Sequence, residues 1–270
     1  MCRIIFITVS ALLCGVSAQA AEIRVADRDT QGLIRALQQA NASTEKTTIR
    51  LARHGLYTLT QPVAGTRNTG LPVLKGPVVI DGNRAEIRRY SDADFTLLAI
   101  AETATVAISD LTLAEGSEGA ILNHGKLKLR RVKVIDNVAR HQSAIIENYG
   151  DIRIIDSQIG FNQLAGAERD AGTVVNYSVL HIDTSEIASN WISRRYDSLY
   201  AASAVLNFGE LHLRGVQIKH NTAESGQNER ALGSIVNLGK GSSAQNAVQF
   251  SDNEPPTSNQ VATTVMQLTL

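Results

Sequence analysis

The chain has 270 residues, with 26 basic and 26 acidic side chains, two cysteines and 4% aromatic residues. So balanced a charge sets up no field that selects nucleic acid, and so few aromatics offer little for unpaired bases to stack on. The length suits one elongated domain acting as a monomer.

Residues 1–20 read as an export signal. Arg3 precedes an apolar run from Ile4 to Val16, and Ala18-Gln19-Ala20 offers a small-x-small cleavage site. The run is too short for a comfortable membrane span, so the mature chain is expected to have none and to be periplasmic or extracellular. Cys2 and Cys14 leave with the signal, which removes disulfides from the mature protein. Residues 21–46 read as an N-terminal cap, with a strand at Ala21–Val25 and a helix over Thr30–Asn41. Thr30 is its expected N-cap, and Leu33, Ile34, Leu37 and Ala40 its apolar stripe.

From 47 to 253 the apolar residues alternate with period two, the mark of strands with one buried face. Segments 47–60 and 73–90 give the first coils, and 61–72, with Pro62, Gly65, Gly70 and Pro72, reads as an exposed loop. Segment 97–116 is a degenerate copy. Val106, Ile108, Leu111 and Leu113 match Leu127, Leu129, Val132 and Val134, while Ile100 is assigned to the Ile121 slot and Glu102 to that of Asn123.

Five copies of one pattern follow: AILNHG, IIENYG, TVVNYS, AVLNFG and SIVNLG. Their pivots are Asn123, Asn148, Asn176, Asn207 and Asn237. A second asparagine stands fourteen residues beyond each of the first four, at Asn137, Asn162, Asn190 and Asn221, while the pivots are 25 to 31 residues apart. One arm of the unit is therefore rigid and the other accepts insertions. Repeats of this period are stacked units that cannot bury their apolar faces alone. Three short strands per winding describe a parallel β-helix of about seven coils, roughly 35 Å of stack at the inter-strand spacing. Equivalent amides would then lie one above another and form a ladder. Gly125, Gly150, Gly209 and Gly239 are expected where a corner needs positive φ. Between pivot and glycine, His124, Tyr149, Tyr177, Phe208 and Leu238 form a column, either a stacked corner or an exposed sugar platform. Residues 254–270 read as a C-terminal tail or cap ending in a strand or flap.

The repeat apolar-x-Asn-x-Gly, x-apolar-x-apolar, final Asn, as in AILNHGKLKLRRVKVIDN, resembles right-handed parallel β-helix proteins of the pectin-lyase-like superfamily, close to the polymorphic-outer-membrane-protein type. The resemblance implies an all-β, right-handed parallel β-helix with an N-terminal capping helix. It carries little information about chemistry, because that superfold hosts lyases, hydrolases, epimerases, adhesins and scaffolds.

Two candidate surfaces follow from vertical register. Outward residues make the columns Lys128, Arg153, His181, His212 and Arg130, Ile155, Asp183, Arg214, so His181, Asp183, His212 and Arg214 share a patch in which a histidine beside a carboxylate could act as a base. The segments 138–143, 163–172, 191–202 and 222–232 read as loops on one side. With Arg153 they supply the candidate binding residues Arg169, Asp170, Trp191, Arg194, Arg195, Tyr196 and Tyr200, suited to an acidic polysaccharide or a protein surface. Carboxylates do not repeat in one column of adjacent coils, and the histidines are scattered. No metal or cofactor is therefore expected, with calcium entering only if the chain is a lyase. The leading expectation is an exported, non-catalytic binding protein; the alternative is a polysaccharide lyase or epimerase.

Overall fold

The computed structural model describes residues 21–66, 68–142, 144–167, 170–194, 200–224, 231–243, 248–254 and 262–263. Residues 1–20, expected to be an export signal, the residues Arg169, Arg195 and Tyr196, and a strand expected near the C-terminus lie outside the described residues.

The chain winds into a parallel β-solenoid of about seven coils. The first-arm strands Lys126–Arg130, Asp151–Ile155, Val179–Asp183 and Glu210–Arg214 pair in parallel without any register shift. Their alternation is the cause: Leu127, Leu129, Ile152, Ile154, Leu180, Ile182, Leu211 and Leu213 point inward and are buried, so a one-residue slip would turn all of them to water. The second arms Lys133–Ile135, Gln158–Gly160, Glu186–Ala188 and Val216–Lys219 stack in the same way. Both arms belong to one fifteen-stranded sheet, because the earlier strands Pro77–Arg89 and Thr105–Ala114 run on through the corner. The pivot strands form a seven-stranded sheet, with Ile121, Ile146, Val174, Val205 and Ile235 facing the core.

Each central coil has four strands rather than three. Val138–Ala139, Gln163–Ala167, Trp191–Arg194 and Thr222–Ala223 make a separate four-stranded sheet out of what reads as the start of each loop. The reason is a second apolar position: Ala139, Leu164, Ile192 and Ala223 follow each second asparagine by two residues and are buried.

Both amide columns are continuous. Nδ2 of Asn123, Asn148, Asn176 and Asn207 donates to Oδ1 of the pivot one coil on, at 2.6–2.7 Å. Asn137, Asn162, Asn190, Asn221 and Asn253 repeat this at 2.8–3.0 Å, and each Oδ1 beyond the first also accepts the backbone N–H of the preceding asparagine. The residue ahead of each second asparagine (Asp136, Phe161, Ser189, His220 and Asp252) has φ between 52° and 58°. That conformation costs a non-glycine residue about 1 kcal/mol, and the ladder bonds it permits offset the cost.

Four expectations change. The pivot glycines do not have positive φ; they are needed because a Cβ would strike the preceding coil, on the carbonyl oxygen of Ala101 for Gly125, of Gly125 for Gly150, of Ser178 for Gly209 and of Gly209 for Gly239. Ile100, not Glu102, pairs with Asn123, and Leu98 with Ile121, because the turn after Ile100 is two residues longer than in later coils. Glu102 therefore lies exposed on that turn and the amide ladder ends against a buried isoleucine. Segment 61–72 is half-buried rather than exposed, with Thr69, Leu71 and the adjoining Leu74 inside. The helix, Thr30–Ala42, is capped by Asp29, whose Oδ1 accepts from Gly32 N at 2.7 Å, rather than by Thr30. It buries Leu33, Ala36, Leu37 and Ala40 beside the first coils, consistent with a cap, and no helix among the described residues is long and apolar enough to cross a membrane. At the far end Ala262–Thr263 adds a strand to Val236–Asn237.

Candidate functional site

The outer face of the first-arm sheet gathers the predicted patch. Register sets Arg153 beside Lys128 and His181, His181 beside His212, and Asp183 between Ile155 and Arg214. Arg153 donates to Asp183 Oδ2 through Nε at 3.2 Å and Nη2 at 3.1 Å, and Arg214 donates through Nε to Oδ1 at 2.9 Å. Asp183 is almost enclosed, its side chain 11% exposed, while both arginines remain largely in solvent. Both carboxylate oxygens accept from guanidinium groups, so Asp183 acts as the rivet that aligns two cations.

His181 and His212 stack with ring centroids 4.4 Å apart and planes 13° from parallel. Burial, reinforced by His212 and Arg153, holds the His181 imidazole below its ordinary range, so it is neutral at neutral pH. His212 Nε2 lies 2.7 Å from Glu210 Oε1, on its own strand. No hydrogen bond joins His181 to Asp183 among the described residues, so the structure brings those two together without forming the oriented pair a general base needs.

At the corner between the pivot sheet and the first arm, His124, Tyr149, Tyr177 and Phe208 form a pile with centroid spacings of 5.0, 4.7 and 5.2 Å and planes within 8° of parallel. Each inner ring has a neighbour on both faces, leaving edges exposed. A sugar needs a free ring face, so the sides of this column are a stacked corner and not a platform.

The insertion side divides. Trp191 is exposed on the four-stranded sheet, and Arg194 ends the same strand. Asp170 accepts from Tyr200 N at 3.0 Å, and the Tyr200 and Phe208 rings meet edge to face, so these contacts fasten the chain as it re-enters the pivot sheet. Arg153 belongs to a different face from Trp191.

One cluster escaped the sequence. Asp94, Glu118 and His141 bring one ligand atom each within 4.8 Å of one another. His141 Nδ1 lies 2.5 Å from Glu118 Oε1, and Arg140 and Arg89 reach Asp94 at 3.1 and 3.6 Å. Two guanidinium groups on one of three ligands oppose a dication, so this arrangement fits an ion-pair network that joins three turns better than a metal centre. Its members come from segments without repeat register, and no spacing rule could have joined them.

No family model matches the chain, and no curated protein and no solved structure matches it either.

Proposed function

We propose that this parallel β-solenoid is an exported, non-catalytic binding protein for an acidic polysaccharide, of the pectin-lyase-like kind in architecture. The observation that carries the reading is the Arg153–Asp183–Arg214 rivet beside Lys128 and Arg130: it fixes two guanidinium groups on the coils either side of the Asp183 strand, about twice the ~4.8 Å strand spacing apart, on an open face. Arg214 uses only Nε on Asp183, which leaves its Nη atoms to a ligand carboxylate or sulfate. Export rests on the sequence of residues 1–20. The exposed Trp191 with Arg194 keeps a protein partner in play on the insertion side.

A second reading, a lyase or epimerase, draws on the neutral His181 stacked on His212. The calcium that such lyases use does not fit here. Asp183 already carries two arginines, and Asp151 has Lys126 and Val179 as its column neighbours.

The test is retention on immobilised polygalacturonate and alginate, with turnover measured on the same polymers with and without calcium. Binding that falls about tenfold in Lys128→Ala/Arg153→Ala, weakens steeply with salt and yields no product supports the binding reading. Product formation that disappears in His181→Ala/His212→Ala overturns it in favour of the enzyme.

A further inference from the structure

The pile of rings has one end covered and one end open. Beyond Phe208 the column continues into Leu238, and next to it Val205, Leu206 and Asn207 pair in step with Ile235, Val236 and Asn237. Before His124 it meets Ala101: Ile100 pairs with Asn123, so Ala101 stands at the height where one more ring would lie. Lys75 stands one coil further on, since Leu74 bridges to Ile100. A methyl group in place of a ring leaves space, and a cavity of about 440 Å³ opens there, within the ~300–1,000 Å³ typical of small-ligand sites. His124, Ala101 and Leu122 line it from the pivot sheet and its corner, and Lys75, Thr66 and Gln38 of the capping helix line it as well. The side chains of Lys75 and Gln38 are exposed and have no partner among the described residues.

A partly apolar lining that ends a ring stack, next to an unpaired ammonium and a free carboxamide, matches a ring with an apolar carbon face, hydroxyls at its edge and one carboxylate. We propose that this cavity is a subsite for a single uronic-acid pyranose, seated on His124 as the missing ring of the pile with its carboxylate on Lys75. The inference rests on the acidic-polysaccharide reading for the class of sugar, but it uses a different surface, at the opposite side of the pivot corner from the arginine rivet. The longer turn after Ile100, which shifts Glu102 out of the ladder, is what gives the cavity its position.

The full chain is titrated with sodium D-glucuronate, D-glucose and indole-3-acetate, with binding followed by heteronuclear NMR. Saturable glucuronate binding that shifts the Ala101 and His124 signals, weakens about tenfold in Lys75→Ala and vanishes in Ala101→Trp, where the protein's own ring fills the slot, supports the subsite. Equal binding of glucose removes the role of Lys75, and binding of indole-3-acetate alone replaces the sugar with an aromatic acid; either result overturns the proposal. Unchanged binding in Lys75→Ala overturns it too, and that exposed position tests the idea even if Ala101→Trp fails to fold. Polygalacturonate retention measured on the same samples separates the two claims. A wild-type chain that retains polymer but ignores glucuronate loses the subsite alone, and one that does neither loses the function as well.

Discussion

Within a single coil, the fourteen residues between the two asparagine columns and the remainder of the winding behave differently. Between the columns, the arm strands keep register from Lys126 to Arg214 with no irregularity. Outside them, register slips between Ala165 and Ala167, between Gly172 and Val174, and between Ala202 and Val205. Both parts have buried apolar residues, so burial alone does not hold the register. Two buried amide files, each able to bond only at one height, clamp the arm at both ends and confine insertions to the other side.

The sharpest way to break this contrast is to insert one glycine after Ile154 and, separately, after Arg140. The first moves the inward set of an arm to the solvent face and is expected to abolish cooperative unfolding by circular dichroism; the second, in an exposed turn, is expected to shift the melting midpoint by only a few degrees. Next in size is Asn176→Ala, which leaves Nδ2 of Asn148 and Oδ1 of Asn207 without their ladder partners in the interior. A loss of about 3 kcal/mol is expected in urea unfolding, and a loss below about 1 kcal/mol would show that the ladder contributes little beyond burial. The smallest effect concerns His181, whose neighbours are His212, Arg153, Asp151 and Asp183. Its folded-state proton affinity is below the unfolded value, so the stability it contributes is fully present above the ordinary histidine range, near ~6.5, and is lost as pH falls through the depressed value. The melting midpoint should therefore drop on acidification from neutral pH, and His181→Gln should flatten that drop.

The asparagine spacing and the period-two alternation make the solenoid and the cation columns legible in the sequence, because both depend on a length that never varies. What escapes is whatever depends on how a turn is spent. The two extra residues after Ile100 moved Glu102 off the ladder, and only the pairing of Leu98 with Ile121 reveals it. The fourth strand was within reach, since Ala139, Leu164, Ile192 and Ala223 stand at a constant offset from the second asparagines. They were hidden by reading segments of variable length as loops throughout. The pivot glycines were placed correctly and explained wrongly: the constraint is crowding by the neighbouring coil, which a single coil's sequence cannot express. Of the arginine rivet, the Asp183–Arg214 half was legible as column neighbours, while the Arg153 half was not, because columns give neighbours on the straight and Arg153 reaches across the diagonal.

The pile of rings also has an optical consequence. Tyr149 and Tyr177 lie face to face at 4.7 Å, close enough for their electronic transitions to couple, whereas the chain's one tryptophan, Trp191, stands on a different sheet. Near-ultraviolet dichroism from the tyrosines and emission from the indole thus report on opposite sides of the same windings, and a solenoid that frays from one flank would be seen to do so without any added label.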